Sequence, residues 1–181
     1  MYYSIKTQPI DVLITLAEAK IYLKMDEITD DDALITDIIQ SVISFASKFT
    51  NITFGLTTFE GYFENFCYSD RFGYHIELTK SPFSEIVSVN INGSVFTDYV
   101  LNKTDYYNYV VPNAYESLND DIYPIVIEFK AGYSVLPYDL KNAMLSHINF
   151  LYTNRGEVNS KVPDNILQVY LNNNIGGSYA I

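Results

Sequence analysis

The chain has 181 residues, enough for a sizeable core, and carries 22 acidic against 11 basic residues, a formal charge of −11. That balance excludes the basic footprint needed to grip nucleic-acid phosphates and disfavours docking on an anionic membrane. Cys67 is the single cysteine, which excludes an intrachain disulfide, and no apolar run reaches transmembrane length.

Residues 1–14 read as an extended arm or edge strand, with Pro9 and the apolar Ile10, Val12, Leu13 and Ile14. The segment Met1 to Lys6 lacks the basic and apolar regions of a secretory signal. Thr15-Leu16-Ala17-Glu18 has the pattern of a capping box and predicts a helix that ends near Lys24 or Met25. A second helix follows the acidic start Thr29-Asp30-Asp31-Asp32, whose carboxylates suit free N–H groups and the positive end of the helix dipole. Its apolar residues, from Leu34 and Ile35 to Ala46 and Phe49, recur at three and four, with Ile43 and Phe45 widening the stripe beyond one contact face.

From about Thr53 to Tyr133 the period changes to two. Tyr74, Ile76 and Leu78 alternate with His75, Glu77 and Thr79, and Val87, Val89 and Ile91 with Ser88, Asn90 and Asn92. Asn92-Gly93 predicts a tight hairpin, with Val95 to Leu101 returning antiparallel. Tyr106 to Val111 is a further strand, Asn113 to Asp121 a polar loop, and Ile125, Ile127 and Phe129 close the set. Pro137 opens a third helix with Leu140, Ala143, Met144, His147, Ile148 and Leu151 on one face. Val158 to Lys161 reads as a connector, and Pro163 starts a short last helix. Residues 172–181 read as a flexible tail ending in Tyr179 and Ile181.

The expected fold class is α+β, mainly an α-helical bundle (two N-terminal helices, one long and one short C-terminal helix) with an inserted antiparallel β region. Its parts are an arm and helices over 1–52, the β-insertion over 53–133, C-terminal helices over 134–171 packing on the first ones, and the tail. Together they make a single structural domain.

The 17 Tyr and 11 Phe, without Trp, suit half-buried sheets and protein interfaces equally. No catalytic, cofactor or metal site emerges. His147 sits on an apolar helix face and reads as a buried, hydrogen-bonded residue; His75 reads as exposed on the polar side of a strand. Two histidines and one cysteine, scattered, make no zinc signature, and Asp30-Asp31-Asp32 lacks the alternation and terminal Glu of a calcium loop. No phosphate loop or nucleophile elbow occurs. The remaining reading is a non-enzymatic binder of protein surfaces. Ile35, Ile39, Ile43 and Phe45 would form a subunit interface, and Ile175, Tyr179 and Ile181 would anchor the tail to a partner.

Several segments, taken in order, resemble the head-tail connector (adaptor) proteins of long-tailed phages and gene transfer agents. They are Ile14 to Lys20, Leu23-Lys24-Met25-Asp26 and Asp31 to Ile35; Leu78 to Phe83 leading into Ile86 to Val89; Val126 to Tyr133; Leu136 to Ala143; and Leu151 to Arg155. The resemblance spans about residues 8 to 171. This chain departs from the pattern at Phe150-Leu151, where the family often has Trp or His before a Tyr, at Thr153, often Glu, and at Gly156, usually Glu.

The resemblance implies a wedge-shaped virion subunit in a ring of roughly a dozen copies. Its partners would be itself, a portal protein, and a tail, stopper or other neck protein. DNA would pass through the centre without specific binding, and no membrane is involved. Such a protein resides in the virion neck, and in the host cytoplasm during assembly. The alternatives are another neck or tail-completion protein, or a ligand-binding module that uses its tyrosines.

Overall fold

A computed structural model describes residues 1–7, 13–104, 108–156 and 161–175. The chain divides into two compact units: residues 1–10 with 56–133, and residues 11–55 with 134–181.

The first unit is all β. Its five-stranded antiparallel sheet runs β1 (Tyr2–Thr7), β2 (Thr57–Phe63), β9 (Ile125–Ala131), β5 (Phe83–Ile91), β6 (Ser94–Val95), in that spatial order. A four-stranded sheet runs β3 (Cys67–Ser69), β4 (Gly73–Leu78), β8 (Asn108–Pro112), β7 (Tyr99–Lys103). Strands β2 and β9 alternate strictly between buried and half-buried residues, as a sheet with one covered face requires. Their inward residues Phe59, Phe63, Ile125, Ile127 and Phe129 join Ile76 and Leu78 of β4 and Val110 of β8 in one buried cluster. Both sheets therefore share one core, the arrangement of a β-sandwich.

Phe129 lies at the centre of that core, wholly buried. It stacks on Phe59 at 5.8 Å and on Phe83 at 6.3 Å, and meets the edge of Tyr3 at 5.9 Å. Tyr3 stands opposite Gly61 in the β1–β2 register. A Cβ on Gly61 would come within 2.9 Å of the Tyr3 ring and 2.8 Å of Phe63, so the missing side chain makes room for both rings. Burial raises the pKa of the Tyr3 hydroxyl, opposed by its hydrogen bonds with Thr79. On the outer face Lys6 bridges Glu60 of β2 and Glu128 of β9 at 3.2 and 2.6 Å, tying the edge strand across two neighbours.

The second unit holds α1 (Leu16–Leu23), α2 (Asp32–Thr50), α3 (Tyr138–Thr153) and α4 (Asp164–Asn172). The capping box at Thr15 is present in both directions, and Lys24 ends α1 in the left-handed conformation. Glu18 also accepts a hydrogen bond from Lys141 of α3, which is the chief reason its carboxyl sits below the usual range. Helix α2 packs on α1, α3 and α4. Its buried residues Ile35, Ile38, Ile39, Val42 and Ala46 form the core of this unit with Leu140, Met144, Ile148, Ile166 and Tyr170.

The mainly helical bundle expected from sequence is overturned. The described residues are 32% helix and 31% strand, and nine strands in two antiparallel sheets build a complete unit of their own. The first residues contribute: of the two readings, arm or edge strand, Tyr2–Thr7 is an edge strand, and it pairs with β2 in the β unit where the sequence reading grouped it with the helices. The strands are also short and broken by turns, so each gives a weaker periodic signal than a 19-residue helix. The predicted return strand from Val95 to Leu101 is split as well. The turn at Asn92-Gly93, both with positive φ, leads into only two residues of β6, and Tyr99–Lys103 then joins the other sheet.

Candidate protein-binding surfaces

Ile35 and Ile39, expected at a subunit contact, lie inside the helical unit with 0% and 3% exposure. They lie on the buried face of α2, which packs on α1, α3 and α4, because a helix returns to the same face every three to four residues. Ile43 is half-buried and Phe45 is 36% exposed, so the outward part of the stripe starts there. Phe45 stacks on Phe49 at 5.6 Å and meets the edge of His147 at 5.1 Å. Beside it Gln40, Ser41, Ser44 and Lys48 line a shallow depression.

His147 is buried, as its place on the apolar face predicts, and its Nδ1 lies 3.3 Å from the Tyr170 hydroxyl. Burial alone lowers its pKa from 6.5 to about 4, so the ring is neutral at physiological pH. A neutral ring with the proton on Nε2 lets Tyr170 donate to Nδ1. Burial raises the pKa of the Tyr170 hydroxyl strongly, which keeps it a donor. This pair is packing with its polar atoms satisfied.

His75 corrects the sequence expectation. It is 5% exposed, with Nδ1 2.9 Å from the Gly73 carbonyl. Its ring lies against Phe72 and Tyr109, which stack on each other at 4.5 Å. The alternation fails here because His75 and Ile76 are both buried while Tyr74 is exposed.

The acidic start of α2 also does different work. No side chain caps the helix at Asp31. The Asp31 carboxylate instead accepts from the Tyr152 hydroxyl and from Arg155 Nη1, at 3.0 Å for the latter. The Tyr152 bond, then that of Arg155, holds the Asp31 carboxyl below its ordinary value. Asp32 pairs with Lys20 at 2.7 Å, and Lys20 is 7% exposed.

At the far end of α2, Ile175 donates its N–H to the Thr50 carbonyl at 2.9 Å and accepts from Asn51 Nδ2 at 3.1 Å. Tyr179 and Ile181 lie outside the described residues. Cys67 is exposed and lines a cleft of about 410 Å³ with Phe63, Glu64, Ile76 and Glu77. Among the described residues no group of three His, Cys, Asp or Glu side chains is arranged to hold a metal ion.

Sequence reasoning missed one exposed aromatic row. Tyr68, Tyr74 and Tyr115 are 66%, 44% and 63% exposed, and neighbouring rings lie 5.3 and 4.8 Å apart. The available signal was Tyr115 itself, a large aromatic side chain in a polar, turn-rich loop that offers it no core.

No family model matches the chain, and neither does any curated protein. Solved structures do match, over nearly the whole length of both partners. A chain in the neck of the empty gene transfer agent (GTA) particle, computed with C6 symmetry, is 15% identical with a TM-score of 0.78. One in the neck of the native particle, computed with C12 symmetry, is 15% identical with a TM-score of 0.74. One in the virion of the native particle is 14% identical with a TM-score of 0.75. In each case the match covers 99% of this chain and 98% of the other. The chain has the fold of these virion and neck chains.

Proposed function

We propose that the protein is a structural, non-enzymatic subunit of a virion neck: a head-tail connector or adaptor. Copies of it form a ring between portal and tail, through which DNA passes. The observation that carries this reading is the end-to-end likeness to chains from a particle neck computed with C6 and C12 symmetry. A likeness confined to one unit would have supported only a shared module; this one includes the β unit, the helical unit and their order in the chain.

A closed ring needs two different contact faces on each subunit. The outward part of α2, with Ile43 and Phe45, is one candidate face. Ile35 and Ile39 support it from the core. The segment after Ile175, with Tyr179 and Ile181, is the candidate anchor on a neighbouring ring, since Ile175 is fixed to the end of α2 by one backbone hydrogen bond and one from the Asn51 side chain. The net charge of −11 per copy suits a channel wall that repels phosphate and lets DNA slide.

The deciding experiment is electron cryo-microscopy of the purified protein mixed with the portal of its own particle. A ring stacked on the portal is expected. Absence of any association at micromolar concentrations refutes the assignment. Deleting residues 176–181 should abolish portal binding while leaving the fold unchanged; retained binding removes the anchor from the proposal.

A further inference from the structure

The exposed tyrosine row has a second feature beside it. Tyr68 on β3 and Tyr74 on β4 are direct cross-strand partners, and Tyr115 extends the row from the loop before β9. Contiguous exposed aromatic patches are enriched at docking surfaces. Tyr115 also lines a recess of about 490 Å³ with Glu64, Asn119, Asp120, Asp121 and Ile122. The loop is held in place: Asn92 Nδ2 donates to the Ser117 carbonyl, and the Asn119 N–H donates to Asn92 Oδ1, both at 2.9 Å. Asp121 accepts from Asn119 Nδ2 at 2.7 Å, and Glu64 lies 3.6 Å from the Met1 amino group. Among the described residues no Lys or Arg side chain lines the recess.

We propose that this surface docks a cationic segment of a different protein, with Arg or Lys side chains lying over the tyrosine faces and their charged ends in the recess. Cations over aromatic rings and carboxylates at the rim reinforce one another, because each offers partial or full negative charge to the same group. A second copy of this chain is a poorer occupant: it carries a net charge of −11, and most of its Lys and Arg side chains are already engaged. Lys6, Lys20, Lys130, Lys141, Arg155 and Lys161 sit in ion pairs with its own carboxylates. Arg71, Lys80 and Lys103 lie over its own rings. The exposed Lys24 is outside these sets. A saccharide fits less well too. Neighbouring rings are inclined at 66° and 53°, so the row forms a corrugated surface and not the flat shelf on which a sugar ring stacks.

This inference is independent of the neck assignment, and its failure would leave that assignment standing. The test uses fluorescence anisotropy on the full chain with a labelled peptide of alternating arginine and glycine. A glutamate-for-arginine peptide and a neutral hexasaccharide serve as comparisons. The arginine peptide alone should bind. Tyr115→Ala and the double variant Asp120→Asn, Asp121→Asn should each weaken it by about fivefold or more. Tyr138→Ala, at an 86% exposed tyrosine in the other unit, should leave it unchanged. Circular dichroism verifies that each variant is folded. Equal binding by either recess variant would show general attraction to an acidic chain and overturn the proposal. So would no binding, or Tyr115-dependent binding of the saccharide.

Discussion

Replacing His147 by glutamine should flatten the pH dependence of unfolding on the acid side of neutrality. His147 is 2% exposed and its pKa falls from 6.5 to about 4 on folding. The unfolded chain therefore takes up a proton between those values that the folded chain refuses. Stability is complete above pH 6.5, declines as pH falls, and levels off below about pH 4. One pKa unit corresponds to about 1.4 kcal/mol, so the full loss is about 3 kcal/mol, with about 2 kcal/mol gone by pH 5. Glutamine keeps an acceptor for the Tyr170 hydroxyl and does not titrate. Its packing cost against Phe45 is the same at every pH. The assay is urea unfolding followed by far-ultraviolet circular dichroism, which reports the helices, at pH 7.5, 6, 5 and 4.5. Carboxylates and His75 are present in both proteins and cancel in the difference. The wild type should lose about 2 kcal/mol more than the variant between pH 7.5 and 5. Parallel curves would refute the reasoning, because they would mean that folded His147 takes up its proton as readily as the unfolded residue.

Asp31→Asn should lower the melting temperature at neutral pH. The gap from wild type should close as pH falls through the depressed range of Asp31, since the contribution of a lowered carboxylate is present above its ordinary value and lost in acid; differential scanning calorimetry checks this. Gly61→Ala should cost about 1–3 kcal/mol in chemical denaturation, because the added methyl displaces Tyr3 and Phe63. Phe129→Ala should cost about 3–5 kcal/mol by the same measurement. Phe45→Ser should give a folded protein that no longer forms rings on the portal, scored by negative-stain imaging.

Helix positions were legible because a 19-residue amphipathic run repeats its signal five times over. The capping box could be read from Thr15 and Glu18 alone, since its bonds are local. The proportion of β structure was not legible for the opposite reason. Tyr2–Thr7 is legible as an arm or edge strand, but its partner lies more than fifty positions away and nothing within the segment announces it. The same holds for side chains. Asp31 looks like a cap in isolation, yet α3 and the turn after it bring Tyr152 and Arg155 to its carboxylate. His75 looked exposed because strict alternation was assumed, and the aromatic cage that covers it comes from Phe72 and Tyr109. Of the surface residues named in advance, Ile35 and Ile39 show the limit most plainly. Periodicity says that a stripe is buried, and it does not say whether the cover is the same chain or another.

The segments that carry the resemblance supply joints between elements as well as core positions such as Ile35, Leu78, Ile127, Phe129 and Leu140. Glu18, in the first, accepts from the Thr15 N–H in the capping box of α1 and from Lys141, which belongs to the fourth. Asp31 binds Tyr152 and Arg155, in the last. In the segment Leu78 to Phe83, Thr79 bonds the Tyr3 hydroxyl, Lys80 lies over Tyr3 and Phe59, and Phe83 stacks on Phe129. An apolar core position accepts several side chains of similar volume, so its identity drifts freely. A joint that needs a carboxylate on one helix and a cation on another does not drift so easily, because removing either partner strands the other. A fold can thus be shared end to end at 14–15% identity while most of its side chains differ.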